Sequence, residues 1–177
     1  YFPSNIELQV GRVDLRDLPA FAESEEDLLR YYLDKSHLFK TGQITAASKA
    51  VIDDNFTGNN FSNSAWKGYS ALVGKDNVEA QDYLTCLQTK SHLFSYGSGG
   101  GTYSSATGVV TTEDYASESP KGIFTMLLGS YFGEWNTSNN LLRAAIASGD
   151  ILTSTWVGLP NYYFHHMAMG ENIGYSI

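Results

Sequence analysis

The sequence predicts an α/β fold: a mostly parallel sheet with helices on both faces, arranged as a three-layer sandwich. Three observations carry this expectation. Segments with strand character alternate with helical periodicity at intervals of about 30 residues, the mark of βαβ units. The run Gly122-Ile123-Phe124-Thr125-Met126-Leu127-Leu128 is almost wholly apolar, as a central strand covered on both faces must be. Three strand segments end in polar or glycine-rich turns, at Asp53-Asp54-Asn55, at Gly97-Ser98-Gly99-Gly100-Gly101 and at Gly129-Ser130.

Each element follows from local pattern. Residues 6–13 alternate at period two and read as a first strand. Pro19 punctuates the connection that follows. Ser24 precedes Glu25, Glu26 and Asp27, a capped acidic helix start, and Leu28, Leu29, Tyr32 and Leu33 continue at helical spacing up to Gly42. Residues 49–53 form a short buried strand. Ser62 or Ser64 is placed to cap a helix bearing Trp66, Tyr69 and Leu72, and a short strand fits residues 77–80. Residues 81–90 are helical, with Tyr83, Leu84 and Leu87 inward and Cys86 at a core position. Strand 93–96 runs into the glycine cluster, and residues 102–108 are too polar for core and read as a loop. A helical turn over 112–116 precedes strand 123–128. Asn139 is placed to cap a helix through Leu141, Leu142, Ala145 and Ile146. Residues 152–157 form the last strand, and Pro160 opens a final helix from Tyr162 to about Ile173.

The composition excludes several classes. The chain has 177 residues, the size of one domain, and 42% of them are apolar, enough to close a core. No apolar run approaches the ~20 residues of a membrane-spanning helix. The net charge of -8, with only 11 scattered Lys and Arg, argues against a nucleic-acid partner, since a phosphate backbone needs clustered cations. Cys86 is the single cysteine, so no internal disulfide forms. Few Lys with abundant Tyr, Asn, Ser, Thr and Gly suggest a secreted or cell-surface setting. The Asn-x-Ser/Thr triplets at Asn55, Asn60 and Asn136 arise readily in such a composition and carry little weight. The chain opens on Tyr1-Phe2-Pro3 without an initiator Met or a signal peptide. It therefore reads as one domain, 1–177, or the later part of one, taken from a longer polypeptide.

Three segments resemble the gingipain family of caspase-fold cysteine peptidases. Gln9-Val10-Gly11-Arg12-Val13, followed by a Glu-rich helix start and Asp34-Lys35, is similar to a strand and surface helix of that family. Val51-Ile52-Asp53-Asp54-Asn55 is similar to its strand ending in an Asp-rich turn. Phe94-Ser95-Tyr96-Gly97-Ser98-Gly99 is similar to its strand ending in Tyr-Gly-His-Gly. The resemblance implies a caspase-like three-layer sandwich and, in an intact member, a His–Cys peptidase site. Here Ser98 stands where the resemblance puts the catalytic His. The nucleophilic Cys should fall within residues 128–130, occupied by Leu128, Gly129 and Ser130. The expectation is a catalytically degenerate domain acting as a structural or interaction module of a larger extracellular bacterial protein. Its partners would be other parts of the precursor, other subunits or a second copy.

The remaining constellations each have a functional and a structural reading. Gly97-Ser98-Gly99-Gly100-Gly101 follows a strand and could present N–H groups to an anion. It lacks dinucleotide-fingerprint and Walker spacing and the Walker Lys, and a turn needing positive φ and little bulk is the better-supported reading. Ser130 lacks the Gly-x-Ser-x-Gly spacing of a nucleophile turn. His165 and His166 are adjacent, so on a helix they point about 100° apart and cannot chelate one ion; as bases for Ser130 or Ser98 they have no further support. Asp53 and Asp54 with Asn55 could hold Ca²⁺ or Mg²⁺, yet no Asp-x-Asp-x-Asp ladder is present, and a hydrogen-bonded turn explains them. The aromatic residues Tyr131, Phe132, Trp135, Tyr162, Tyr163 and Phe164 read as core or as a binding surface.

No cofactor and no metal are expected. If a site exists, it lies at the carboxyl ends of the strands. Asp53, Asp54, Tyr96, Ser98, Gly99, Gly100, Gly129, Ser130 and Tyr131 would line it. The alternatives are a hydrolase built on Ser130 or Ser98 with His165 or His166, and a ligand- or carbohydrate-binding module.

Overall fold

The computed structural model describes residues 8–156 and 163–176. Its centre is a five-stranded, all-parallel sheet formed by β1 (Ala50–Asp54), β2 (Val78–Ala80), β3 (His92–Ser98), β6 (Gly122–Leu128) and β7 (Thr153–Trp156), in the order β2-β1-β3-β6-β7. A two-stranded antiparallel hairpin, β4 (Ser105–Ala106) and β5 (Val110–Thr111), follows β3. The helices are α1 (Glu25–Lys40), α2 (Asn63–Val73), α3 (Tyr83–Thr89), α4 (Thr112–Ser117), α5 (Leu141–Ala147) and the single turns α6 (His165–Ala168) and α7 (Ile173–Ser176).

The strand order fixes the layers. From β1 the chain steps outward to β2, then crosses back over β1 to β3 and on to β6 and β7. Crossovers in parallel sheets are right-handed, so connections running in opposite directions put their helices on opposite faces. Accordingly α2 packs with Ala50, Ile52, Phe94, Tyr96, Met126 and Leu128 on one face. On the other, α3, α4 and α5 pack with Val51 and Leu127. Strand pleating explains the split: alternate residues of β1 and β6 point to alternate faces.

Most local signals behave as their chemistry requires; an exception is α2, where Ser62 is the N-cap residue but makes no side-chain capping bond and Ser64 lies within the helix. Ser24 accepts from the Asp27 N–H to open α1, Asp82 caps α3, and Thr111 with Asp114 forms a reciprocal capping box on α4. Before α1 the connection is pinned by buried Leu15, Leu18 and Phe21 and by the buried Arg143, which donates to Arg16 O and Thr137 O. Lys35, also buried, caps the end of α5: its ammonium donates to Ile146 O at 2.8 Å, Ser148 O at 2.9 Å and Gly149 O at 3.1 Å. In the core between β3, β6 and α3, the hydroxyls of Ser95, Thr125, Tyr83 and Tyr115 form a connected row, at 2.9, 2.7 and 2.9 Å.

Three expectations are corrected. Residues 8–13 form no strand. Leu8 and Val10 are 77% and 82% exposed, so their alternation marks no buried face, and among the described residues no strand pairs with them; residues 6 and 7 lie outside the described ones. The α5 cap is Asn140, whose Oδ1 accepts from Arg143 N. Asn139 instead takes a left-handed φ of 53°, which its short side chain tolerates, and accepts from Ala20 N at 3.0 Å. The final helix is not continuous: Gly170 at φ 100° separates α6 from α7. Its expected start at Tyr162, like the last residue of strand 152–157, lies outside the described residues.

Candidate functional site at the carboxyl ends of the strands

The reversal in strand order falls between β1 and β3, the position where open parallel sheets leave a crevice at their carboxyl ends. Parallel pairing sets Asp54 against Ser98, and Ser98 against Leu128. The three turns singled out in the sequence, after β1, β3 and β6, thus meet at one end of the sheet.

Their side chains are largely engaged with one another. Ser98 is fully buried and donates to Asp54 Oδ1 at 2.6 Å; the same oxygen accepts from Phe56 N at 3.1 Å. Asp53 Oδ2 accepts from Tyr83 N at 2.9 Å, at the first turn of α3, and its Oδ1 accepts from Asn55 Nδ2 at 2.8 Å. Burial pushes the Asp53 carboxyl up, opposed by the Tyr83 N–H. Tyr96 is buried and donates to Phe61 O at 3.1 Å, and burial raises its phenol well above its ordinary value. These are the contacts of a turn that ties β1, α3 and β3 together, the structural reading of the Asp pair.

The glycine cluster is a packed joint: none of its glycines takes the positive φ expected of the turn, and it is lack of room that excludes a side chain at most of them. A Cβ on Gly97 would strike Val109, one on Gly99 would strike the Thr107 carbonyl, and one on Gly101 would strike the Ser130 backbone. The β4–β5 hairpin folds against the cluster, with Thr107 N donating to Gly100 O at 2.8 Å. Gly99 N is committed to Leu128 O at 3.0 Å. Gly100 alone is exposed with room for a side chain, its nearest neighbour being Thr107 Oγ1 at 3.6 Å.

Beyond β6, Gly129 O accepts from the Trp156 indole at 2.7 Å, and Phe132 is fully buried. Ser130 and Tyr131 are exposed on the rim. Tyr131 takes a φ of 70°, a conformation that costs a non-glycine residue on the order of 1–3 kcal/mol, and its ring meets exposed Tyr103 edge-on at 5.5 Å. Among the described residues no histidine is hydrogen-bonded to Ser130.

His166 lies on α6, which packs on α2 and α7, and its ring sits edge-on to Tyr175 at 5.0 Å. The side chain of His165 is outside the described part of the structure. The helix is anchored by Phe164, stacked on Tyr69 at 5.7 Å and seated over Gly68. The single cysteine lies at the other end of the sheet. Cys86 is buried on α3 beside His92, the first residue of β3, with Sγ and Nε2 3.8 Å apart. Burial pushes its thiol up, against Lys90, so it stays protonated and poorly nucleophilic.

Sequence reasoning did not anticipate this Cys86–His92 pair, nor Glu79 next to it, because the three residues come from three elements with no recognisable spacing. It also missed a cavity of about 540 Å³ beside the edge strand β7. Val10, Tyr32, Trp135, Leu142 and Ile146 line it, and none of the strand-end residues above do.

Fold and site together define an open α/β sandwich on an all-parallel five-stranded sheet, whose described turns after β1, β3 and β6 are bonded largely to one another. Comparison with protein-family models, with curated proteins and with solved structures gave no match.

Proposed function

We propose that this chain is a catalytically degenerate, gingipain-like domain that serves as a structural or interaction module of a larger extracellular bacterial protein. The observation that carries the reading is the state of Ser98. At the position where the resemblance puts a base stands a hydroxyl with no exposed surface, bonded to Asp54. Peptide cleavage of the gingipain type needs an imidazole to deprotonate a thiol. The strand end beyond β6 offers Leu128, Gly129 and Ser130 instead, and the only thiol is at the opposite end of the sheet. Among the described residues no helix is long and apolar enough to cross a membrane, which agrees with a module whose partners are other segments of the precursor, other subunits or a second copy.

One feature favours a second reading, a ligand-binding rim. Exposed Tyr131, next to Ser130 in the chain, meets exposed Tyr103 edge-on, and exposed aromatic rings with a polar tip are suited to binding surfaces. The deciding experiment is a peptide-library assay of the purified chain beside Ser130→Ala and Cys86→Ala, run with a glycan-binding screen. The module reading expects no turnover and no glycan capture. Turnover abolished by either substitution would replace it with an active hydrolase, and glycan binding lost in Tyr131→Ala would replace it with the ligand-binding reading.

A further inference from the structure

The amino-terminal end of the sheet holds a cluster that the proposed function does not use. Glu79 of β2, Cys86 of α3 and His92 of β3 place a carboxylate oxygen, a thiol sulfur and an imidazole nitrogen all within 4.8 Å of one another. We propose that these three side chains form a binding site for one zinc ion, its fourth position completed by water.

The geometry is close to what zinc demands. With Zn–S near 2.3 Å and Zn–N and Zn–O near 2.0–2.1 Å, tetrahedral angles set ligand atoms roughly 3.3–3.6 Å apart. Cys86 Sγ and His92 Nε2 are 3.8 Å apart, and His92 Nε2 and Glu79 Oε1 are 4.0 Å apart. The thiol–imidazole edge needs only a few tenths of an ångström of closure, and most of the remaining movement falls to Glu79, a long side chain on the short edge strand β2. Three protein ligands with an open fourth position is the arrangement of zinc sites that keep a water.

The imidazole is also presented correctly. His92 Nδ1 lies 3.4 Å from Lys90 O. That long contact to a backbone carbonyl favours the tautomer in which Nδ1 carries the proton and the Nε2 lone pair faces Cys86 and Glu79. A metal-bound histidine commonly has its other nitrogen oriented by such a carbonyl. His92 and Cys86 are buried, at 0% and 2% exposure.

Glu79 also bonds Lys49 Nζ at 2.9 Å and Lys90 Nζ at 3.2 Å. These two ammonium groups are the competitors. A thiolate and a carboxylate bring two negative charges to a dication, so the filled site is neutral and the lysines need only turn toward solvent, where each is already about half exposed. Entry of the metal releases the Cys86 proton, so binding weakens as pH falls. A mixed thiolate, imidazole and carboxylate set suits zinc better than Ca²⁺ or Mg²⁺, which take oxygen ligands.

The test is titration of the purified, chelator-stripped chain with Co²⁺ as a spectroscopic stand-in, followed by displacement with Zn²⁺. Expected are visible bands of tetrahedral intensity, a thiolate-to-cobalt charge-transfer band, saturation at one equivalent and loss of both on adding zinc. Cys86→Ser and His92→Gln should lose the charge-transfer band or the binding, by more than the roughly 10–100-fold that changes outside the ligand shell cost, whereas Lys49→Met should tighten binding. Zinc should raise the melting temperature of the parent chain and leave Cys86→Ser unmoved. That readout stands even if a variant is less stable, because each protein is compared with itself with and without metal. A parent chain with no charge-transfer band and no zinc-dependent shift overturns the proposal. So does a Cys86→Ser variant that binds as tightly as the parent, which would leave a buried thiol–imidazole hydrogen bond as the whole role of the pair.

Discussion

Adjacent glycines in the loop after β3 should respond to alanine in opposite ways. At Gly101 the new methyl group would press on both the nitrogen and the oxygen of Ser130 and lie 2.8 Å from Phe132 Cε1. Backbone cannot turn aside as a side-chain tip can, so the two strand-end turns would have to part by about 1 Å, and overpacking of this kind costs on the order of 1–3 kcal/mol. The reduced freedom of the unfolded chain returns about 0.4–1 kcal/mol. From mid-range values a net loss of about 1.3 kcal/mol remains, and at about 2–4 °C per kcal/mol for a domain of this size the midpoint should fall by about 3–5 °C. At Gly100 the methyl would meet nothing closer than Thr107 Oγ1 at 3.6 Å, so only the unfolded-state gain operates and the variant should be as stable as the parent or slightly more so. Thermal melts of the three proteins by circular dichroism at one pH decide the matter. Equal midpoints for Gly101→Ala and Gly100→Ala would show that the glycine loop does not pack on the Ser130 turn.

Two further outcomes follow from buried polar groups. Ser98→Ala leaves Asp54 Oδ1 with only the Phe56 N–H and should lower urea stability by about 1–2 kcal/mol with an unchanged slope; an unchanged midpoint would mean that the bond contributes nothing. Burial pushes Lys35 from 10.5 down to about 7, opposed by Asp150, so the folded chain gives up this proton before the unfolded chain does. Between those two values the unfolded state binds more protons and stability rises with pH. The limit is about 5 kcal/mol at about 1.4 kcal/mol per unit, reduced because the three carbonyls around Nζ favour the ammonium. Melting midpoints from neutral pH to about pH 9 should climb in the parent and climb less in Lys35→Met, and parallel curves would refute the assignment.

Much of the fold was legible because it rests on apolar periodicity. β1, β3, β6 and β7 lie where short apolar or alternating runs stop at Gly, Asp or Ser, and α1 announces itself through Ser24 and three acids. The failures have physical causes. Residues 8–13 alternate as a strand does, but alternation stabilises nothing without a neighbouring strand. The β4–β5 hairpin pairs only Ser105 with Thr111 and Ala106 with Val110, two residues to a strand and too short for a period-two signal. At the strand ends, a parallel sheet necessarily gathers its carboxyl termini, and the gathering of Asp54, Ser98 and Ser130 followed from that alone. That Asp54 and Ser98 would bond each other depends on register, which no single strand encodes. Glu79, Cys86 and His92 become neighbours only through the crossovers around β1.

The row of hydroxyls from Ser95 through Thr125 and Tyr83 to Tyr115 has a dynamic consequence. Each group carries a single proton, and Ser95 donates to Thr125, so the direction of one bond constrains the next along the row. None of the four rotors turns without disturbing its neighbours, and all four side chains are buried. Their protons therefore reach solvent only when α3 and α4 part from β3 and β6. Exchange at these hydroxyls is a clock for opening of the middle of the domain, set by its global stability and deaf to motion in the exposed rim around Tyr103 and Tyr131.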